Sequence, residues 1–206
     1  PLFLPHFWHA NFGKVALFWA LCCAVPLCLL IDFSTGINSI IHVLLADYVP
    51  FIIFVGSLFI VAGGIHVKGS FVGRPIVNTC FLALGAVLAN FMGTTGAAML
   101  LIRPLIHANE GRKRSISTFI FFIFLVANVG GALTPLGDPP LFLGFLKGVS
   151  FFWTTEHVIL PWLLCSVILL AVHHVIDTIM YRKDVADGFK PKDPSTKFAL
   201  EGLVNI

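Results

Sequence analysis

The chain has 206 residues, of which 58% are hydrophobic and only 11% are charged. A water-soluble globular domain is about 45–50% apolar, so this composition excludes that class and predicts an all-α membrane protein, a polytopic helical bundle. The net charge of +3 comes from basic residues clustered in short loops. Such clusters indicate orientation in a membrane rather than binding to nucleic acid.

The sequence gives no indication of enzyme chemistry, because it contains no phosphate loop, metal-ligand quartet or hydrolytic triad. Its five cysteines lie inside apolar runs, without the spacing of a disulfide framework or a zinc site. We therefore predict that the chain is not an enzyme and needs no cofactor. It opens on Pro1 without an initiator Met and stops as a new apolar run begins after Glu201, so we expect a fragment of a larger transporter.

Apolar length and the positions of basic residues divide residues 1–206 into the segments of one transmembrane domain. Loops rich in Lys and Arg mark the cytoplasmic side of a membrane. The predicted segments, in chain order, are a span at 15–31, an outer loop with room for a short helix at 32–47, a span at 48–67, a re-entrant hairpin at 75–102, a basic cytoplasmic loop at 103–114, a broken span at 116–146, a span at 158–180 and a cytoplasmic loop at 181–200.

The hairpin is predicted from the uncharged run between Arg74 and Arg103. As one straight helix, the run from Pro75 to Ile102 would be about 42 Å long and would overshoot a hydrocarbon core of about 30 Å. Its centre, at 90–96, concentrates Asn, Thr and Gly residues and leaves two apolar legs that are too short to span. A hairpin also places Arg74 and Arg103 on one side of the membrane.

A second interruption runs from Ala127 to Pro140, where three glycines, three prolines, an amide, a hydroxyl and a carboxylate break an apolar run. It follows Ile116–Val126, which is long enough to enter a bilayer but too short to cross one. The irregular backbone therefore lies at mid-membrane depth, where polar groups without water cost several kcal/mol each. Asp138 followed by Pro139 is typical of a helix N-cap, so we expect a second half-helix from here.

The two interruptions together predict a binding site. Discontinuous helices that meet at the bilayer midplane form the sites of many secondary transporters. Asn and Thr oxygens and free carbonyls, present at both 90–95 and 128–138, are hard ligands suited to sodium. An alternative interpretation is that the glycines of these segments only permit tight helix packing.

Asp138 has two interpretations, which the residues alone leave open. An intramembrane carboxylate is a functional candidate by default, but an N-cap aspartate alone can stabilise a helix by about 1 kcal/mol. For His173, His174 and Asp177 we expect interfacial roles at a helix end. Residues 112–114 are expected to form a solvated basic loop.

The segment Asn-Val-Gly-Gly-Ala-Leu-Thr-Pro-Leu-Gly-Asp-Pro-Pro, residues 128–140, closely resembles the signature of the ion transporter superfamily. Its continuation at 141–145 and the run Phe-Phe-Trp-Thr at 151–154 look most similar to the citrate-transporter and NhaD-type sodium/proton antiporter branch. The resemblance implies an inverted-repeat secondary transporter, each half of which contributes a re-entrant hairpin and a broken helix. This chain resembles the first half.

Carried over position by position, the resemblance implies a cation or substrate site at the hairpin tip and the broken helix. The implied binding residues are Asn90, Gly93, Thr94, Thr95, Asn128, Gly130, Gly131, Thr134 and Asp138, with Asn90, Thr94, Asn128 and Thr134 as sodium ligands.

The leading hypothesis is sodium/proton antiport, with sodium ions and protons as the transported species. The runner-up is sodium-coupled uptake of citrate or a dicarboxylate, but the predicted membrane region holds no Arg or Lys to bind carboxylates. A membrane scaffold without transport is a third alternative. We expect the chain in the cell membrane, in contact with the lipid bilayer, small ions or a small organic anion, and a C-terminal half of the same transporter. Assembly as a homodimer stays open.

Overall fold

The structure is a computed structural model that describes residues 5–30, 32–64, 66–68, 71–190 and 199–201. The α-helices are α1 (Pro5–Leu30), α2 (Phe33–His42), α3 (Val49–Gly64), α4 (Pro75–Ala108), α5 (Ile116–Leu125), α6 (Pro139–Leu146) and α7 (Trp153–Ala186). A π-helical segment, Val43–Tyr48, precedes α3, and a 3-10 helix, Val129–Leu133, precedes α6. Two three-residue strands, β1 (His66–Lys68) and β2 (Ala199–Glu201), pair antiparallel.

The prediction of an all-helical membrane protein is confirmed. Among the described residues, five segments are long and apolar enough to cross a membrane: Pro5–Leu30, Phe33–Ile60, Pro75–Ala108, Ile116–Leu133 and Trp153–Ala186. Many large apolar side chains on these segments face outward; Trp19, for example, is 66% exposed and Leu160 77% exposed. Exposure on this scale would drive a soluble protein to aggregate, but it suits a chain whose solvent is lipid.

The chain divides into two compact units, residues 1–50 and 51–206. In the first unit, α1 packs against α2, and Gly36 permits the close approach because an added Cβ there would lie 2.8 Å from the Cys28 Cα. Residues 32–47, predicted as an outer loop with room for a short helix, are helical from Phe33 onward. The helix starts there because Asp32 caps it, accepting the Thr35 backbone N–H at 3.1 Å.

In the second unit, α4 is a helical hairpin and not one straight helix. Its backbone leaves the helical region at Gly93, where φ is 77° and ψ is 156°. The two ends of α4 come together, because the Gly73 N–H donates to the Ala108 carbonyl at 2.7 Å. Halfway down the legs, an added Cβ on Gly85 would lie 3.0 Å from the Leu101 Cδ1. That the hairpin enters and leaves the membrane from one side stays a prediction.

The core of this unit lies between the hairpin legs and α5, with α7 packed along the outside. Small residues on the first leg let α5 approach closely: a Cβ on Gly85 would lie 2.5 Å from a methyl of Val126. The buried apolar residues are Phe81, Leu82, Ala86, Ala89, Ala97, Leu100, Leu101, Leu105, Phe122, Leu125 and Val126. Hairpin, α5 and α7 therefore form one packed frame around the interrupted segment.

Candidate functional site at the hairpin tip and the helix break

The chain between α5 and α6, residues 126–138, is called the break from here on. It contains the 3-10 helix Val129–Leu133, an extended residue at Thr134 and a turn before Pro139 opens α6. The chain crosses itself inside the break, because an added Cβ on Gly131 would lie 2.5 Å from the Gly137 carbonyl oxygen. Only residues without a Cβ permit this approach, which explains the glycines at both positions.

The hairpin tip, residues 90–95, contacts the break through three hydrogen bonds. The Thr94 N–H donates to the Gly137 carbonyl at 3.1 Å, and the Leu133 N–H donates to the Asn90 Oδ1 at 3.0 Å. The Thr134 hydroxyl donates to the Asn90 carbonyl at 2.5 Å. Two segments of irregular backbone thus satisfy each other's polar groups, as an environment without water requires.

Helix α7 supplies further donors to the break. The hydroxyls of Thr154 and Thr155 both donate to the Leu133 carbonyl, at 2.9 and 2.6 Å. The Trp162 indole N–H donates to the Val129 carbonyl at 2.8 Å. The contacts of these three side chains with the break were not predicted from the sequence. The one available signal was the pair of adjacent hydroxyls at the start of a predicted span.

The other proposed site residues take several different positions. Gly130 packs into the core, where a Cβ would lie 2.9 Å from the Ala86 Cα. The Asn128 side chain is exposed and donates to the Ile123 carbonyl at 2.7 Å. Thr95 is exposed at the tip, and Asp138 is half-buried at the N-cap position of α6.

The site residues divide by whether their side chains already have hydrogen-bond partners. Asn90 and Thr134 hold the tip and the break together, as described above. In the described part of the chain, the hydroxyls of Thr94 and Thr95 have no hydrogen-bond partner, and the Asp138 carboxylate does not cap its helix. Among the proposed site residues in the described part of the chain, the side-chain oxygens without a hydrogen-bond partner are those of Thr94, Thr95 and Asp138 and the Oδ1 of Asn128, whose amide nitrogen donates to Ile123.

A small cavity of about 60 Å³ lies beside the tip, between residues 92–96 and the α3 side chains Phe54 and Leu58. The ring of Phe54 stacks on that of Phe142 in α6, with centroids 4.0 Å apart. The cavity wall is mostly apolar, apart from Thr94 and Thr95. A cavity of this size has room for a few water molecules.

With this geometry in place, comparison with protein families identifies the chain. A family model described as "putative citrate transport" matches residues 1–206, which is the whole chain. The chain belongs to this family. Comparison with curated proteins and with solved structures gives no match. The resemblance to the citrate-transporter branch of the ion transporter superfamily is confirmed, and the apolar helices and the family together support a membrane transporter.

The transporter also has a buried ionic cluster, at the open end of the hairpin. The Arg112 Nη2 donates to the Asp177 carboxylate at 2.6 Å, and the Arg112 Nε donates to Asp184 at 3.3 Å. The side chains of Arg112 and Asp177 are fully buried. The prediction of a solvated loop at Arg112 and an interfacial role for Asp177 is wrong, because the two residues neutralise each other inside the protein.

Two amides complete this cluster and tie the hairpin ends together. Asn78 on the first leg and Asn109 after the second exchange hydrogen bonds of 2.9 and 2.8 Å. Asn78 also donates to Asp177 at 2.8 Å, and Arg112 donates to the Asn109 Oδ1 at 3.0 Å. The cluster of Asn78, Asn109, Arg112, Asp177 and Asp184, called the base cluster below, joins the hairpin to α7.

The base cluster has a buried histidine near it inside the protein and a surface ion pair beside it. His173 is fully buried, against the expected interfacial position, and its ring nitrogens lie 3.4 Å from the hydroxyls of Thr79 and Thr118. Outside the helix, Arg114 donates to Asp187 at 2.6 Å, and this hydrogen bond holds the pKa of the Asp187 carboxyl below its usual value.

Proposed function

We propose that the transporter is a sodium/proton antiporter whose cation site lies between the hairpin tip and the break. The observation that carries this proposal is the hydrogen bond from the Thr94 N–H to the Gly137 carbonyl. It brings the free hydroxyls of Thr94 and Thr95 to the segment that ends in Asp138. Hydroxyls, carbonyls and a carboxylate are hard oxygen ligands of the kind that bind alkali and alkaline-earth cations.

Exchange of sodium for protons requires only that both compete for one carboxylate. Asp138, or an acid in a second half of the transporter, would hold sodium when ionised and release it when protonated. The carboxylate of Asp138 suits this role, because it makes no cap hydrogen bond that would occupy its oxygens. Opening of the site to one side of the membrane at a time would then couple the two fluxes.

The second candidate is sodium-coupled uptake of citrate or a dicarboxylate, which the family description favours. A carboxylate substrate would lie at the N-terminus of α6, which is the positive end of the helix dipole. Against this candidate, no Arg or Lys is among the described residues that line the cavity beside the tip. A triply charged anion bound there would have only dipoles to neutralise it.

Both candidates share three further elements of the proposal. We place the transporter in the cell membrane, with the bilayer around its apolar helices. A C-terminal half of inverted topology would supply a second hairpin and a second break. Sodium would bind in part to that half, so the present chain alone would not transport.

Everted membrane vesicles distinguish the two candidates. The vesicles contain the whole protein of which this chain is part, and sodium is added after a pH gradient has been established. Antiport predicts that sodium, and not choline, collapses the gradient, and that labelled citrate does not accumulate. Citrate uptake driven by sodium, with no effect of sodium alone on the gradient, would reverse the ranking. The variant Thr178→Val, on α7 away from the site, serves as the control.

A further inference from the structure

We infer that Thr154, Thr155 and Trp162 are positioning residues that hold the break in the geometry that the cation site requires. That the site binds a cation rests on the proposed function, whereas the contacts of these three side chains are hydrogen bonds of the structure. All three side chains lie on α7 and donate to carbonyls of the 3-10 helix, two to Leu133 and one to Val129.

The spacing of the donors matches the spacing of the acceptors. Thr155 and Trp162 are two helical turns apart, a rise of about 10 Å along α7. Val129 and Leu133 are four residues apart in a 3-10 helix, a rise of about 8 Å. Thr155 meets Leu133, and Trp162 meets Val129, so the two helices run in opposite directions with their polar groups aligned.

The hydroxyls of Thr154 and Thr155 can donate to another segment because they have no acceptor within their own helix. A threonine inside an α-helix commonly donates to its own carbonyl four residues back, as Thr178 does to His174 at 2.6 Å. Thr154 and Thr155 lie in the first turn of α7, where no helical carbonyl is available four residues back. Their donors are therefore available to the break.

The backbone of Leu133 is held on both sides of its Cα. Its N–H donates to the Asn90 Oδ1 at 3.0 Å, and its carbonyl accepts both threonine hydroxyls. A carbonyl has two lone pairs, so this one has no capacity left for a cation. The hairpin thus holds the peptide plane before the Leu133 Cα and α7 holds the plane after it, and the next residue, Thr134, takes its direction from the second plane.

Helix α7 can position the break because its other end is fixed. Asp177 and Asp184 bind Arg112 in the base cluster, with the Arg112 and Asp177 side chains fully buried. The helix is therefore fastened to the open end of the hairpin at one end and to the break at the other. Loss of the donors at 154, 155 and 162 would therefore loosen the break, while α7 would stay bound to the hairpin through the base cluster.

Hydrogen exchange tests the positioning without reference to transport. The whole protein in lipid nanodiscs is compared with Thr154→Val/Thr155→Val and with Trp162→Phe. We expect backbone amides of the break to exchange about tenfold faster in each variant, and peptides of the second hairpin leg to be unchanged. Thr178→Val and Trp153→Phe are the matched controls, and the single variant Thr155→Val is used if the double variant does not fold. Unchanged exchange of the break would overturn the inference.

Transport kinetics test the link to the cation site. In proteoliposomes, the same variants should raise the sodium KM about fivefold or more and leave the maximal rate within about twofold, and Thr155→Ser should restore the KM of the parent. Faster exchange with an unchanged sodium KM would overturn that link. If the parent shows no sodium-dependent transport, the proposed function fails, and the exchange measurement alone decides the positioning.

Discussion

Arg112 is a buried guanidinium whose nitrogens are shared among two carboxylates, an amide oxygen and the Gly73 carbonyl. A charge taken out of water is tolerated only when it is paired and its hydrogen bonds are satisfied. The pairing with Asp177 and Asp184 meets both conditions. Removal of one carboxylate from the base cluster would therefore leave the buried Arg112 charge with less compensation.

The first prediction concerns Asp177→Asn, which keeps the shape of the side chain and removes its charge. We expect the free energy of unfolding to fall by about 3–5 kcal/mol, because the Arg112 charge stays buried with less compensation. Thermal unfolding of the purified protein in detergent measures the change. The control is Asp187→Asn, whose carboxylate pairs with Arg114 at the surface and is 45% exposed, so its effect should be much smaller than that of Asp177→Asn. Equal effects of both substitutions would contradict the prediction.

Only part of the site could be predicted at the residue scale. Gly93, Gly131 and Gly137 are conspicuous in an apolar chain, and the structure gives each a steric reason. Thr155 and Arg112 were not predictable, because their roles depend on which helices become neighbours. Arg112 meets Asp177 across 65 positions of sequence, and no local pattern carries that information.

At the scale of elements, the hairpin turns at a single residue. Gly93 has φ of 77° and ψ of 156°, a region that is essentially restricted to glycine and in which another residue costs about 1–3 kcal/mol. Gly93→Ala should destabilise the protein by about that amount and weaken sodium binding, because the tip is part of the proposed site. Gly144→Ala is the control, since its nearest side-chain neighbour would lie 3.9 Å away, at Val149. Melting temperatures and sodium affinity of both variants measure the effect, and equal results would contradict it.

Element boundaries were predictable where an apolar run is too long for one membrane span or is interrupted by polar residues. The run at 75–102 is too long for one span, and the structure folds it at its polar centre. The break was predictable because three glycines and three prolines cluster between Ala127 and Pro140, and such a density of both residues disfavours a continuous helix. The extent of α7 was not: residues 181–186, assigned to a cytoplasmic loop by their charge, continue the helix to Ala186. Polar composition indicates contact with water, and a helix can extend beyond a membrane.

At the scale of the whole molecule, the hairpin determines how the chain is threaded through the bilayer. Arg74 and Arg103 are both exposed in the chain and are predicted to lie on one side. Single cysteines at these positions, in a background without the five native ones, should react with an impermeant thiol reagent from the same side of sealed vesicles. A cysteine at Glu156, next to the predicted outer aromatic residues, is the control and should react from the other side. Reaction of 74 and 103 from opposite sides would contradict the re-entrant arrangement.

The central claim is a site between the hairpin tip and the break that sodium and protons occupy in turn, and direct sodium binding tests it. Radioactive sodium is bound to the purified whole protein from about pH 6 to about pH 9, beside Asp138→Asn and Thr94→Val. We expect saturable binding whose affinity falls by up to about tenfold for each unit of decreasing pH. Asp138→Asn should lose this pH dependence if that carboxylate is the coupling acid, and Thr94→Val should bind sodium more weakly. Absence of saturable binding, or an affinity that is the same at every pH and in Thr94→Val, would contradict it.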